Sequence, residues 1–209
     1  MTEEQVQVGR TEILNHLSKI IEIQQSISQF VEQKLCGTFD DADVEEWENR
    51  RKKAFQHYKN IIERYKFTKM LPKDDLGIMA QAAVSYMFKL QHSLGEILVI
   101  VDMLGNETFS EIYMDSFTTM SSKVTEQFGV LKKMVEVRTE NTESGNEELE
   151  LIIKLERQID EDNIVICRQI SVKTGGESDF TCYMMRKIVA ELEHISDYIK
   201  ECAEIIADI

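Results

Sequence analysis

Helical periodicity runs almost without interruption through a chain of 209 residues that holds one proline and nine glycines. A β sandwich or barrel needs a turn signal every 8–12 residues or so, and so few Pro and Gly cannot supply them. Apolar residues instead recur at i, i+3, i+4 and i+7, and no segment alternates with period two for long enough to form a strand. The chain is therefore expected to be all-α. The pattern breaks at Cys36–Asp43, Met70–Asp74, Leu104–Thr108, Arg138–Glu147 and Val172–Asp179, each rich in Gly, Pro or small polar residues. Helices are predicted over 10–35, 44–69, 75–104, 109–137, 147–171 and 180–208. Asp43, Asp75 and Asp179 are placed to accept from free N–H groups at the helix starts that follow. Thr108 with Glu111 has the capping-box spacing.

Short connections make consecutive helices antiparallel neighbours. The six helices divide into two sets of three, so one domain over 1–209 is expected, built from pseudo-repeats of about 1–105 and 106–209. Leu90-Gln91-His92-Ser93-Leu94-Gly95 is echoed by Leu192-Glu193-His194-Ile195-Ser196-Asp197 at an offset of 102 residues. At the same offset Lys52 matches Lys154, Gln56 matches Gln158 and Ile62 matches Ile164.

Acidic residues number 38 against 24 basic ones, a formal net charge of −14. Such a surface repels a phosphate backbone and argues against nucleic-acid binding. Basic residues cluster only at Arg50–Lys53 and Lys132–Lys133, runs that read as solvated faces. The longest aliphatic run, Ile97–Val101, falls far short of the roughly 20 residues of a spanning helix. Neither membrane insertion nor a secretory leader is expected. The four cysteines, without metal-ligand spacing, read as reduced thiols in the core. The ten methionines read mostly as core filler, and Trp47 as an anchor at the start of the second helix.

The fifth predicted helix carries an anomaly. Its apolar stripe runs through Leu149, Ile152, Ile153, Ile159, Cys167 and Ile170, and at about 100° per residue its centre falls on Glu156, with Asp160 and Asn163 beside it. An unpaired buried carboxylate is costly, and two at i and i+4 repel. A cation, a basic side chain such as Arg186 or Lys187, water or an open groove must compensate. Glu193 and Asp197 repeat the spacing on the flank of the sixth helix's stripe. Two further pairs, Glu111/Asp115 and Glu204/Asp208, read as ordinary surface charge. An all-oxygen set suits hard or borderline metals.

Ile153-Lys154-Leu155-Glu156-Arg157-Gln158-Ile159-Asp160, with Asn163 and Arg168, resembles the fifth helix of the PhoU-like family of phosphate-transport regulators. Ile188 to Asp197, with Ala203 and Glu204, resembles its sixth, and the shorter single-chain branch of the family is the closer match. The resemblance implies two three-helix bundles and a metal site formed by Glu156, Asp160, Glu193 and Asp197. Iron, manganese, magnesium or calcium would be its divalent or trivalent ion. It also implies a non-enzymatic role, in the cytoplasm or held at the membrane's inner face through a partner. That partner would be a phosphate transporter or its signalling protein, and a homodimer is compatible. The first half departs from the family pattern, because Ala54, Tyr58, Gln91 and Gly95 stand where the four carboxylates would. One metal site at most follows, in the second half.

Two rivals remain. A di-iron carboxylate bundle needs a second Glu-x-x-His besides Glu191/His194, and none exists. His194 points away from the stripe and is expected to be exposed. The other rival is a metal-free structural or adaptor bundle. No Ser/His/Asp or Cys/His arrangement suggests an enzyme.

Overall fold

The computed structural model describes residues 3–36, 75–104, 111–141, 144–173, 175–176 and 179–209. They form α1 (Glu3–Leu35), α2 (Asp75–Leu104), α3 (Glu111–Glu140), α4 (Asn146–Lys173) and α5 (Phe180–Asp208). No strand occurs among the described residues. The predicted helix over 44–69, with Trp47 and the Arg50–Lys53 run, lies outside them, as do Thr108 and the side chain of Glu111. Five of the six expected helices are thus present. The main boundary difference is at α1, which begins at Glu3 and not at residue 10. At the start of α5, Asp179 caps as its position predicts: its carboxylate accepts from the Cys182 N–H at 2.7 Å. Asp75 instead lies inside the first turn of α2, where its charge favours the helix dipole.

Among the described residues the two halves share one core. The most extensive contacts cross between them, α2 against α5 and α1 against α3. Both pairs are antiparallel. Glu22 meets Lys132 and Ser28 meets Thr125 between α1 and α3. Glu96 pairs with Lys187 and the Cys202 thiol donates to the Ala83 carbonyl between α2 and α5. The stripes of all five helices merge into one core, with Leu17, Ile21, Met87, Leu94, Phe117, Phe128, Ile152, Ile159, Ile188 and Ile199 fully enclosed.

Polar groups set the register within this core. The buried Gln24 amide donates to the Met87 carbonyl at 2.6 Å, and the buried Gln127 amide donates to Ile152 at 3.2 Å. All four cysteines are free thiols, with Cys182 and Cys202 buried. Met87, Met120, Met134 and Met185 fill the core, as expected of most methionines, whereas Met103 is exposed.

Gly145 closes the turn between α3 and α4 with φ +102°, and an added Cβ would stand 3.1 Å from Arg138 Cγ. Gly95, in the middle of α2, has no atom within 4 Å of such a Cβ. The two glycines therefore respond oppositely to alanine. Gly145→Ala is expected to lower unfolding free energy by about 1–3 kcal/mol. Gly95→Ala is expected to raise it by about 0.5–1 kcal/mol through helix propensity. Urea unfolding followed by circular dichroism checks both signs.

Candidate functional site

The α4–α5 hairpin brings the four predicted carboxylates to one seam. Glu156 sits on the buried side of α4 and is only 7% exposed, despite its charge. Asp160, one turn further on, is half-buried. Glu193 and Asp197 lie half-buried on α5, on the flank of its apolar stripe. The groups act on one another across the seam: Glu156 and Asp160 both add to the repulsion felt at Glu193 and Asp197.

Sequence reasoning missed the cation at the seam. Lys200 of α5 donates through Nζ to Glu156 Oε1 and forms an ion pair with it. That bond holds the Lys200 ammonium above its ordinary pKa, against the opposing effect of burial. Arg186 and Lys187, the basic residues expected to compensate, stand elsewhere. Lys187 pairs with Glu96 of α2, and Arg186 lies beside Cys167. The antiparallel register explains the difference, since Lys187 is 13 residues from Lys200 and so about 20 Å away along α5. The signal that could have found Lys200 is its position one turn beyond Asp197, on the same flank.

One ammonium does not neutralise four carboxylates. Burial first, and then Glu156, raises the Asp160 carboxyl, while Lys200 lowers it only in part. Glu193 is raised by burial, then by Asp197. Asp197 is raised by burial, with Lys200 opposing and Asp160 and Glu156 adding to the rise. His194 is exposed, as its position predicts, and its Nδ1 lies 3.7 Å from Glu191. Asn163, expected on the stripe, is half-buried and accepts from the Cys167 thiol at 3.3 Å. The side pairs behave as surface charge: Asp115, Glu204 and Asp208 are all exposed.

The donor set is all oxygen and carries excess negative charge, which matches a hard cation in charge. It does not match in position. Among the described residues, no three His, Cys, Asp or Glu side chains are grouped closely enough to hold an ion. As arranged, the ammonium of Lys200 takes a cation's place on Glu156.

No protein-family model matches this chain, and no curated protein matches it in sequence.

Opposite effects are expected from removing charges at this seam. Raised carboxyl pKa values mean that the folded state binds protons more tightly than the unfolded one. Their ionisation therefore costs stability as pH rises through and above the ordinary carboxylate range. In metal-free buffer at pH 7, Asp197→Asn is expected to stabilise by a few tenths to about 1 kcal/mol after screening. The gain should vanish below the carboxylate range, where Asp197 is already protonated. Glu156→Gln strips Lys200 of its partner and is expected to destabilise by about 1–3 kcal/mol. Thermal unfolding across pH 3–8 reads both signs.

Proposed function

We propose that this chain is a non-enzymatic regulator of PhoU-like type, in which the acidic quartet of the α4–α5 seam is the functional site. The observation that carries this reading is the under-neutralised cluster itself. Three half-buried carboxylates, Asp160, Glu193 and Asp197, are raised by burial and by their neighbours, with one lysine between four acids. Such a cluster has a standing affinity for a further cation. Glu156, Asp160, Glu193 and Asp197 would hold a divalent or trivalent metal ion of the iron, manganese, magnesium or calcium kind. Loading would draw the four carboxylates inward, with Lys200 moving off Glu156. A bound ion would supply charge neutralisation and stiffen the seam.

The partner in this reading is a membrane phosphate transporter or its signalling protein, met at the cytoplasmic face, and a homodimer is compatible with it. Among the described residues no helix is long and apolar enough to cross a membrane. The pseudo-repeat of two three-helix sets belongs to the same proposal. It is supported by the antiparallel pairing of α2 with α5, the helices that carry the matched segments around Leu90 and Leu192. The non-enzymatic assignment rests on the same resemblance; burial pushes the Cys202 thiol up to about 12 and so keeps that one group from acting as a nucleophile.

The Lys200–Glu156 ion pair favours a second reading, a metal-free adaptor bundle in which the lysine is the permanent counter-ion. Elemental analysis after incubation with Mn²⁺ or Fe²⁺ separates the two. The regulator reading expects bound metal in the native protein, a loss of most of it in Glu156→Ala/Asp197→Ala, and tighter binding in Lys200→Met, which frees Glu156. Equal metal content in the native protein and the double variant would end the metal assignment and leave the adaptor.

A further inference from the structure

The packing of α2 on α5 is fixed at two heights, by Ala83 with Cys202 and by Glu96 with Lys187. Between those heights the antiparallel register brings Tyr86 of α2 level with Tyr198 of α5, and Lys89 level with His194. At about 100° per residue, Tyr198 stands on the opposite flank of α5 from Glu193, Asp197 and Lys200. The two tyrosine rings meet there, their centroids 6.1 Å apart and their planes inclined at 43°. His194 continues the aromatic surface, its ring centroid 6.2 Å from that of Tyr198. Both tyrosines are half-buried and packed against the shared core, so the bundle holds their rings in place. Lys89 and His194 are exposed.

A cation already lies on this surface. Lys89 Nζ is 4.6 Å from the Tyr86 ring centroid and 5.3 Å from that of Tyr198. Both distances fall inside the roughly 6 Å over which the negative face of a ring attracts a positive charge. Glu201 reaches the Tyr86 hydroxyl, and its charge, ahead of burial, holds that phenol above its ordinary value. Glu204, nearly one turn further along α5, is exposed and acts in the same direction. Two supported ring faces with one charge over both, and carboxylates at the rim, are the elements of a receptor for an organic cation. Lys89 fills it poorly. It is exposed, its stem is flexible, and a primary ammonium is strongly hydrated. A guanidinium is planar, more weakly hydrated and stacks on aromatic faces.

We infer that the Tyr86–Tyr198 surface is a docking site for an arginine side chain of a protein partner, which displaces Lys89 from the rings. The guanidinium stacks on the rings and turns its N–H groups to the Glu201 carboxylate, a charge-assisted contact that a ring face alone cannot give. Charge complementarity favours this occupant: Glu201 and Glu204 border the rings, and the whole chain carries −14. The surface shares no residue with the acidic quartet, and nothing in the argument for either requires the other.

The test is titration with a short acetylated peptide carrying two arginines, with affinity read by calorimetry and the tyrosine ring resonances followed by NMR. The same peptide with citrulline in place of arginine is the uncharged control. The arginine peptide is expected to bind and to shift the Tyr86 and Tyr198 resonances, and the citrulline peptide to do neither. Tyr198→Leu leaves every charge in place and is expected to weaken binding about three- to fivefold. Should it fail to fold, Tyr86→Leu gives the same reading. Lys89→Met vacates the rings and is expected to strengthen binding by a similar factor. Most of that gain should disappear in Lys89→Met/Tyr198→Leu, because it acts through the ring. Unchanged affinity in Tyr198→Leu, or a Lys89→Met gain that persists in the double variant, would mean attraction by net charge alone and overturn the assignment. Ring resonances unmoved by the arginine peptide would overturn it as well.

Discussion

A carboxylate placed at the centre of an apolar helix face needs a counter-charge, and the α4–α5 seam is organised around meeting that need at Glu156. Burial would otherwise cost several kcal/mol. Lys200 supplies the charge. The same pairing leaves Asp160 and Asp197 only partly offset by Lys200, and Glu193 opposed only by His194. Their raised carboxyl groups follow from that shortage together with partial burial. The seam is thus stable as folded and still electrostatically unsaturated.

The rest of the fold holds that seam in place from behind. α5 carries Glu193, Asp197 and Lys200 on one flank, while its stripe from Met185 to Ile206 packs into the shared core and against α2. The Glu96–Lys187 pair and the Cys202–Ala83 hydrogen bond fix α5 along α2 at two heights. α4 is fixed in turn by α3, through Gln127 to the Ile152 carbonyl and Lys123 to Asp162 at 2.6 Å. Any ion or partner that moves α4 against α5 must work against these registers. This makes a side-chain rearrangement around Lys200 the least costly response.

Much of this was legible in the residues. The all-helical fold, the cap at Asp179 and the burial of Glu156 all follow from local periodicity, which depends on neighbours within a turn or two. The flank position of Glu193 and Asp197 follows in the same way. What could not be read depends on register between helices far apart in sequence. Lys200 is 44 positions from Glu156, and choosing it over Arg186 or Lys187 requires the height at which the hairpin folds back. The packing of α1 on α3 and of α2 on α5 likewise crosses between what the sequence suggested were two self-contained trios.

In the proposed function the quartet accepts a metal ion in place of the Lys200 ammonium. Crystals of the native protein grown with Mn²⁺, with anomalous differences measured, test this most directly. The expected result is an anomalous peak between α4 and α5, ligated by carboxylates of Glu156, Asp160, Glu193 and Asp197, with Lys200 turned away from Glu156. A seam without a peak, in which Lys200 still holds Glu156 at saturating Mn²⁺, would contradict it.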